Sequence, residues 1–301
     1  MTGAGTMQAG SPGDDDDEAP LYVSPETSAR LGGSDPDALD DWSLAVNFAA
    51  WKKLLKHNPR RLERMRRRAI TGVIRRAKEL LRRQSRPTEV ILADWSPGTS
   101  GELDVEETIE RAVGKSAPEP EDLAVTERRD KRADLALALD VSLSMAGENL
   151  ALVAVAAAVL ALRADPRDLA VVAFETTAET LTHRGEAISP EDVVRRILDV
   201  PAGGFTNIEA GLLEARKNLS GSRSPRRAVI LVSDGKSTEG GDPRDVARGL
   251  PRLHVVHIGR DVHGRRLSRA LASLGKGAFE AAPAYRALPR AMDRLTRRIF
   301  R

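Results

Sequence analysis

Between residues 60 and 83 the apolar positions recur every three or four residues: Leu62, Met65, Ala69, Ile70, Val73, Ile74, Ala77, Leu80 and Leu81. That is the period of one helix face, so an amphipathic helix is predicted there. Before it, Asp40 or Asp41 is placed to cap a helix holding Trp42, Leu44, Val46, Phe48 and Trp51, which Asn58-Pro59 breaks. From Ala133 the pattern changes. Short continuous apolar runs at 135–139, 168–174, 228–232 and 253–258 alternate with helix-length segments at 149–162, 189–200, 208–219, 243–250 and 267–274. Continuous runs of this length read as strands buried on both faces of a parallel sheet. Residues 178–183 are expected as an antiparallel edge strand, 278–281 as a last short strand, and 283–301 as an amphipathic basic helix. The alternation predicts an α/β fold with a doubly wound, mostly parallel sheet.

The region before the sheet reads as smaller, mainly helical and basic. Within it, residues 88–93 have strand character, and Asp104 with Glu107 has the spacing of a helix cap. Residues 123–128 alternate weakly and are expected to pair as an edge strand against 134–139, with 129–132 as the turn. Residues 1–40 are rich in Gly, Ser, Pro and Asp, with an acidic run at 14–18 and no apolar period, so they read as a disordered acidic tail. The expected organisation is a tail over 1–40, a helical basic region with its linker over 41–130, and the α/β domain over 131–301.

Composition narrows this picture. Of 301 residues 41% are apolar and 30% charged, as in a soluble globular protein, while 3% aromatics leave the core to Leu, Val, Ile and Ala. There is no cysteine. That excludes disulfides, cysteine zinc sites and thiol catalysis, and suits a reducing cytosol, so a cytoplasmic location is expected. The N-terminus lacks a basic-then-apolar signal pattern, and the apolar run 150–162 is too short to span a bilayer, so no membrane role is expected. The net charge of +3 hides an uneven distribution. The second face of the helix at 60–83 is almost wholly basic and includes Arg66, Arg67, Arg68, Arg75 and Arg76. Such a stripe either contacts nucleic-acid phosphates or docks on acidic surface of its own chain or a partner. No base-reading motif accompanies it.

The chemistry concentrates where the apolar runs end. The first ends in Asp140, followed by Ser142 and Ser144. A Gly-rich loop, 201–207, presents Thr206 before a helix, and the run 228–232 leads into Ser233-Asp234-Gly235. Open α/β sheets bind ligands at such strand ends, and carboxylates with hydroxyls are hard oxygen donors of the kind Mg2+ prefers. Each residue also has a local reading, as a helix cap or, for Asp234, a turn. His254 and His257 do not suggest a zinc site.

In order, Asp140-x-Ser142-x-Ser144, Thr206 and Asp234 resemble the metal-ion-dependent adhesion site of the von Willebrand factor A (vWA) domain. The resemblance covers roughly residues 131–283. Leu143 stands where many members carry Gly, at a position that is not a ligand. The resemblance implies that Ser142, Ser144 and Thr206 bind Mg2+ (or Mn2+) directly. It implies that Asp140 and Asp234 act mostly through bound water, and that a protein partner supplies an acidic residue to the open position. Residues 101–108 look like the element before the vWA domain in bacterial CoxE-like and MoxR-associated proteins. That implies an AAA+ ATPase of the MoxR type as partner, in maturing other proteins or inserting metal into them.

Enzyme motifs are missing. Gly235-Lys236-Ser237-Thr238 lacks the earlier glycine of a phosphate-binding loop, and there is no serine-hydrolase elbow. A haloacid-dehalogenase-like phosphatase carries a second Asp where Ser142 stands. The expectation is therefore a non-catalytic, metal-dependent protein-interaction module. The alternative is a nucleic-acid-associated protein using the arginine stripe.

Overall fold

The computed structural model describes residues 38–81, 88–142, 148–201 and 203–300. The expected acidic tail, but for its last three residues, and Ser144 lie outside them. The described chain begins with three helices: α1 (Asp41–Val46), α2 (Phe48–Leu54) and α3 (Pro59–Leu81). Asp40 caps α1 by accepting from the N–H groups of Trp42 and Ser43, both at 2.9 Å. The single helix expected before Pro59 is divided at Asn47. Then come strands β1 (Thr88–Asp94) and β2 (Glu102–Leu103), helix α4 (Val105–Arg111) and strand β3 (Ala124–Asp130). Asp104 caps α4 from the N–H of Glu107 at 3.0 Å, as its spacing predicts.

The rest is the doubly wound unit. Its strands are β4 (Asp134–Asp140), β5 (Leu169–Phe174), β6 (Ala178–Thr182), β7 (Arg227–Ser233), β8 (Leu253–Ile258) and β9 (Lys276–Ala282). They form one sheet in the order β6-β5-β4-β7-β8-β9, parallel except for the edge strand β6. Its helices are α5 (Glu148–Ala161), α6 (Pro190–Asp199), α7 (Ile208–Leu219), α8 (Pro243–Arg248), α9 (Val262–Leu274) and α10 (Leu288–Ile299). β4, β5 and β8 are buried at every position, which is why their sequences run apolar without alternation. Ala136, Ala138, Val172 and Val229 pack with α7, α8 and α9 on one face. Helix α5, buried from Leu150 to Ala161, packs with α6 and α10.

One expected pairing is not formed. β3 does not join β4; it lies between β1 and β2 in a separate antiparallel sheet. The reason is that β4 is bonded on both sides, to β5 and to β7, so it offers no free edge. The weak alternation of residues 123–128 instead reflects a half-buried central strand of the small sheet.

Helix α3 packs against α5, and Met65, Ala69, Val73 and Ala77 on its apolar face are buried. Its charged face is held down as well. Arg66 reaches Asp199 at the end of α6 at 3.0 Å and Glu63 at 2.7 Å. Arg68 and Arg75 meet Asp41 at 3.1 and 3.5 Å. The Arg76 guanidinium lies 3.8 Å from the Trp42 ring centroid. Arg67, 79% exposed, contacts Glu63 at 3.3 Å. Where α1 crosses α3, a Cβ on Gly72 would sit 2.6 Å from the Asp41 carbonyl oxygen. Gly72→Val is therefore expected to overpack this crossing and cost about 1–3 kcal/mol. Urea unfolding followed by circular dichroism checks this. An unchanged midpoint would show that the crossing gives way freely.

Candidate metal centre

The strand order reverses between β4 and β7, so the carboxyl ends of these two strands border the crevice where such sheets take ligands. Asp140 is the last residue of β4 and is 2% exposed. Its Oδ1 accepts from the N–H of Ser142 at 3.1 Å and its Oδ2 from the Ser233 hydroxyl at 2.8 Å. Ser233 in turn accepts from the N–H of Gly235 at 2.9 Å. The end of β7 thus orients the carboxylate at the end of β4. Asp234 follows Ser233 in a turn that its own Oδ1 closes, accepting from the N–H of Lys236 at 3.0 Å. Gly235 has φ +73°, and a Cβ there would lie 2.3 Å from the Gly264 carbonyl oxygen, so the turn packs onto α9.

The Thr206 loop is tied to the same crevice from three directions. Gly203 donates to the Val141 carbonyl at 3.2 Å, one residue past Asp140. Phe205 N–H donates to Thr176 Oγ1 at 3.1 Å, and Asn207 N–H to the Glu175 carbonyl at 2.8 Å, both beyond the end of β5. Thr206 N–H donates to Thr238 Oγ1 at 2.9 Å, while its carbonyl accepts from Thr238 N–H at 2.9 Å and Glu239 N–H at 3.2 Å. The local cap reading of Thr206 fails, because Asn207 caps α7 by accepting from Ala210 N–H at 3.0 Å. Thr206 is 6% exposed and its hydroxyl makes no hydrogen bond among the described residues.

Of the five residues expected to form one site, Asp140 and Ser142 lie at the end of β4, Asp234 follows β7, and Thr206 lies in the loop bonded to both strand ends; Ser144 lies outside the described residues. Ser233, Thr238 and Thr176 were not expected. Only Ser233 had a signal, its place between a buried run and Asp234. Asp140 sits above the usual carboxylate range because burial disfavours its charge. Hydrogen bonds from Ser142 and Ser233 pull it back, and the Asp234 charge pushes it up. Among the described residues no Lys or Arg pairs with Asp140; Lys236 Nζ lies 3.8 Å from Asp234 Oδ2. A buried carboxylate with neutral donors and a second carboxylate nearby is a site that favours a cation. The donors are hard oxygens, which fits Mg2+ or Mn2+.

The histidines have structural partners. His254 Nδ1 accepts from Ala278 N–H at 2.9 Å, and burial holds its pKa down to about 4. His257 Nδ1 is 3.1 Å from Ser268 Oγ. No group of three or more His, Cys, Asp or Glu side chains that could hold a metal ion occurs among the described residues. No helix among them is long and apolar enough to cross a membrane.

The model of the family described as VWA domain containing CoxE-like protein matches residues 73–292, and the chain belongs to that family. The match starts inside α3, so it takes in the small sheet ahead of β4. Residues 45–88 also match a model described only as a protein of unknown function. No curated protein sequence matched. Among solved structures, the chain is similar to proximal thread matrix protein 1 from the mussel byssus "with zinc occupied MIDAS motif". The two are 23% identical over 56% of this chain and 48% of that one, with TM-score 0.47. The chain thus spans about half the length of the byssus protein. It is also similar to BatB from Bacteroides thetaiotaomicron (19% identity, 56% and 98% of the two chains, TM-score 0.46). A von Willebrand factor type A protein from Catenulispora acidiphila gives 15% identity over 72% and 50%, with TM-score 0.48.

The electrostatics of Asp140 have a consequence for stability in chelator. A carboxyl whose folded pKa lies above its unfolded value of 3.8 takes up a proton on folding between the two values. It therefore weakens folding as pH rises through that window, and the penalty stays at neutral pH. His254 runs the other way, losing stability as pH falls from 6.5 through about 4. The difference between Asp140→Asn and wild type isolates the carboxylate. In chelator at neutral pH, Asp140→Asn is expected to melt above wild type, with the gap closing toward acid. Calorimetric melts at stepped pH test this, and a variant melting below wild type throughout would mean that the carboxylate is not under strain.

Proposed function

We propose that this chain is a non-catalytic docking module that holds a divalent ion, Mg2+ or Mn2+, at the carboxyl ends of β4 and β7 and uses it to capture an acidic side chain of a protein partner. The observation that carries this is the buried Asp140 carboxylate, bonded only to neutral donors and sharing its crevice with Asp234. Asp140, Ser142, Thr206 and Asp234, with Ser144 two residues beyond Ser142, would hold the ion. Once bound, such an ion offers an open position that a carboxylate fills. The chain's own part is positional. Ser233 holds Asp140 in one rotamer, the Thr176 and Thr238 bonds hold the Thr206 loop, and the flanking strands keep both rigid. Membership of the CoxE-like family supports an AAA+ ATPase of the MoxR type as the partner, with this chain as adaptor or co-chaperone in protein or metal-cofactor maturation.

Titration calorimetry tests the metal, and capture of purified MoxR-type ATPase with and without chelator tests the partner. Wild type is expected to bind Mg2+ or Mn2+, and both Asp140→Ala and Ser142→Ala/Ser144→Ala to lose binding. Ser233→Ala, which removes only the hydroxyl that orients Asp140, is expected to weaken binding about 10- to 100-fold. Binding that survives Asp140→Ala would place the ion elsewhere, and ATPase capture indifferent to chelator would sink the metal-bridged docking.

A further inference from the structure

Among the described residues the small sheet has an open side. Val90 and Leu92 on β1 are 63% and 44% exposed, while Ile91 between them is half-buried. β1 pairs only with β3 among the described strands, and its register runs from Thr88↔Asp130 to Asp94↔Ala124 without a bulge. The phase of its hydrogen bonds follows from one contact, the N–H of Trp95 donating to the Leu123 carbonyl at 2.9 Å. In an antiparallel ladder bonded residues alternate, so Ala93, Ile91 and Glu89 exchange bonds with β3. The N–H and C=O groups of Thr88, Val90, Leu92 and Asp94 then point to the open edge. Of the usual edge guards, the strand Thr-Glu-Val-Ile-Leu-Ala-Asp carries charge only at Glu89 and Asp94, and no Lys, Pro or bulge.

We propose that this edge is an interface between two copies of the chain, with β1 pairing antiparallel to β1 of a second copy about a two-fold axis through Ile91. The sequence is self-complementary in that register. Val90 faces Leu92 of the other copy, Thr88 faces Asp94, Glu89 faces Ala93, and Ile91 faces its own counterpart. No like charges stand opposite each other. Every residue with free edge groups meets another, so the two edges satisfy each other along all seven residues. Val90 and Leu92 from both copies form one apolar cluster on the solvent-facing side. Glu89 points to the opposite side and pairs with Arg226 at 2.8 Å, which ties β1 to the start of β7. The two three-stranded sheets would become one of six, well beyond the size at which small sheets are marginal.

The absence of cysteine makes the register directly testable. Across a two-fold at a non-hydrogen-bonded pair, the Cα atoms of residue 91 come within about 4.5 Å, inside the span of a disulfide. The Thr88 pair lies six residues out of register, roughly 20 Å apart. With the full-length protein under mild oxidation, Ile91→Cys is expected to give a covalent dimer and Thr88→Cys none. Light scattering should show wild type at the mass of two chains at micromolar concentration, with Val90→Lys at least about tenfold weaker in self-association and unchanged in its thermal melt. A single-chain mass at all concentrations would overturn the proposal. So would a dimer unaffected by Val90→Lys, or equal crosslinking of the two cysteine variants. Asp140→Ala is expected to leave the dimer intact, so the interface stands or falls separately from the metal site.

Discussion

The parallel pairing of β4 with β7 is the constraint on which the rest of the molecule depends. With β5 on its other edge and helices on its faces, every residue of β4 is buried, so Asp140 enters the interior by its position in the strand and not by any affinity of its own for an apolar setting. The same pairing sets Ser233 beside it, one step past the Leu139↔Val232 match. A buried carboxylate remains ionised only with a cation or several donors beside it; otherwise it takes up a proton. Here the protein supplies two neutral donors and adds a second carboxylate. The fold thus creates an electrostatic deficit at one point, and the surrounding loops are built to keep that point rigid.

That rigidity comes from main-chain bonds more than from side-chain charge. Thr206 has both of its backbone polar groups bonded to the loop after β7, and its neighbours Phe205 and Asn207 are bonded to the end of β5. With Gly203 bonded to Val141, residues 203–207 thus connect the ends of β4, β5 and β7. Gly204 makes the approach possible: it has φ +69°, and a Cβ there would overlap the Glu175 carboxylate. A hydroxyl presented this way costs little to hold in place, because the backbone is already fixed.

How much of this was legible in the sequence depends on the range of the interaction. The buried runs of β4, β5, β7 and β8 could be read directly, because burial on both faces leaves an apolar signature. Asp140, Ser142, Thr206 and Asp234 were legible as strand-end and loop chemistry. Ser233 was not singled out, since its role rests on the register between β4 and β7, which no local pattern states. The position of β3 was misread for a related reason. Its alternation was visible, but only the sheet order shows that β4 has no edge left to offer. The crossing of α1 and α3 was hidden too, because Gly72 looks like a helix-weakening residue until Asp41 is seen against it.

The arginine stripe shows how far away in sequence the contacts of a charged face can lie. As a linear pattern, Arg66, Arg67, Arg68, Arg75 and Arg76 resemble a polyanion-binding face. In the structure, Asp41 takes Arg68 and Arg75, Asp199 takes Arg66, and Trp42 takes Arg76. Individually such contacts near the surface contribute little, about 0–1 kcal/mol each. Together they tie α3 to α1 and to the end of α6, an orientation that burial of Met65, Ala69, Val73 and Ala77 alone would specify less sharply. A phosphate at Arg66, Arg68 or Arg75 would compete with carboxylates already bonded to those guanidinium groups. Packing and ion pairs thus engage Arg66, Arg68, Arg75 and Arg76, whereas Asp140 has no Lys or Arg partner among the described residues.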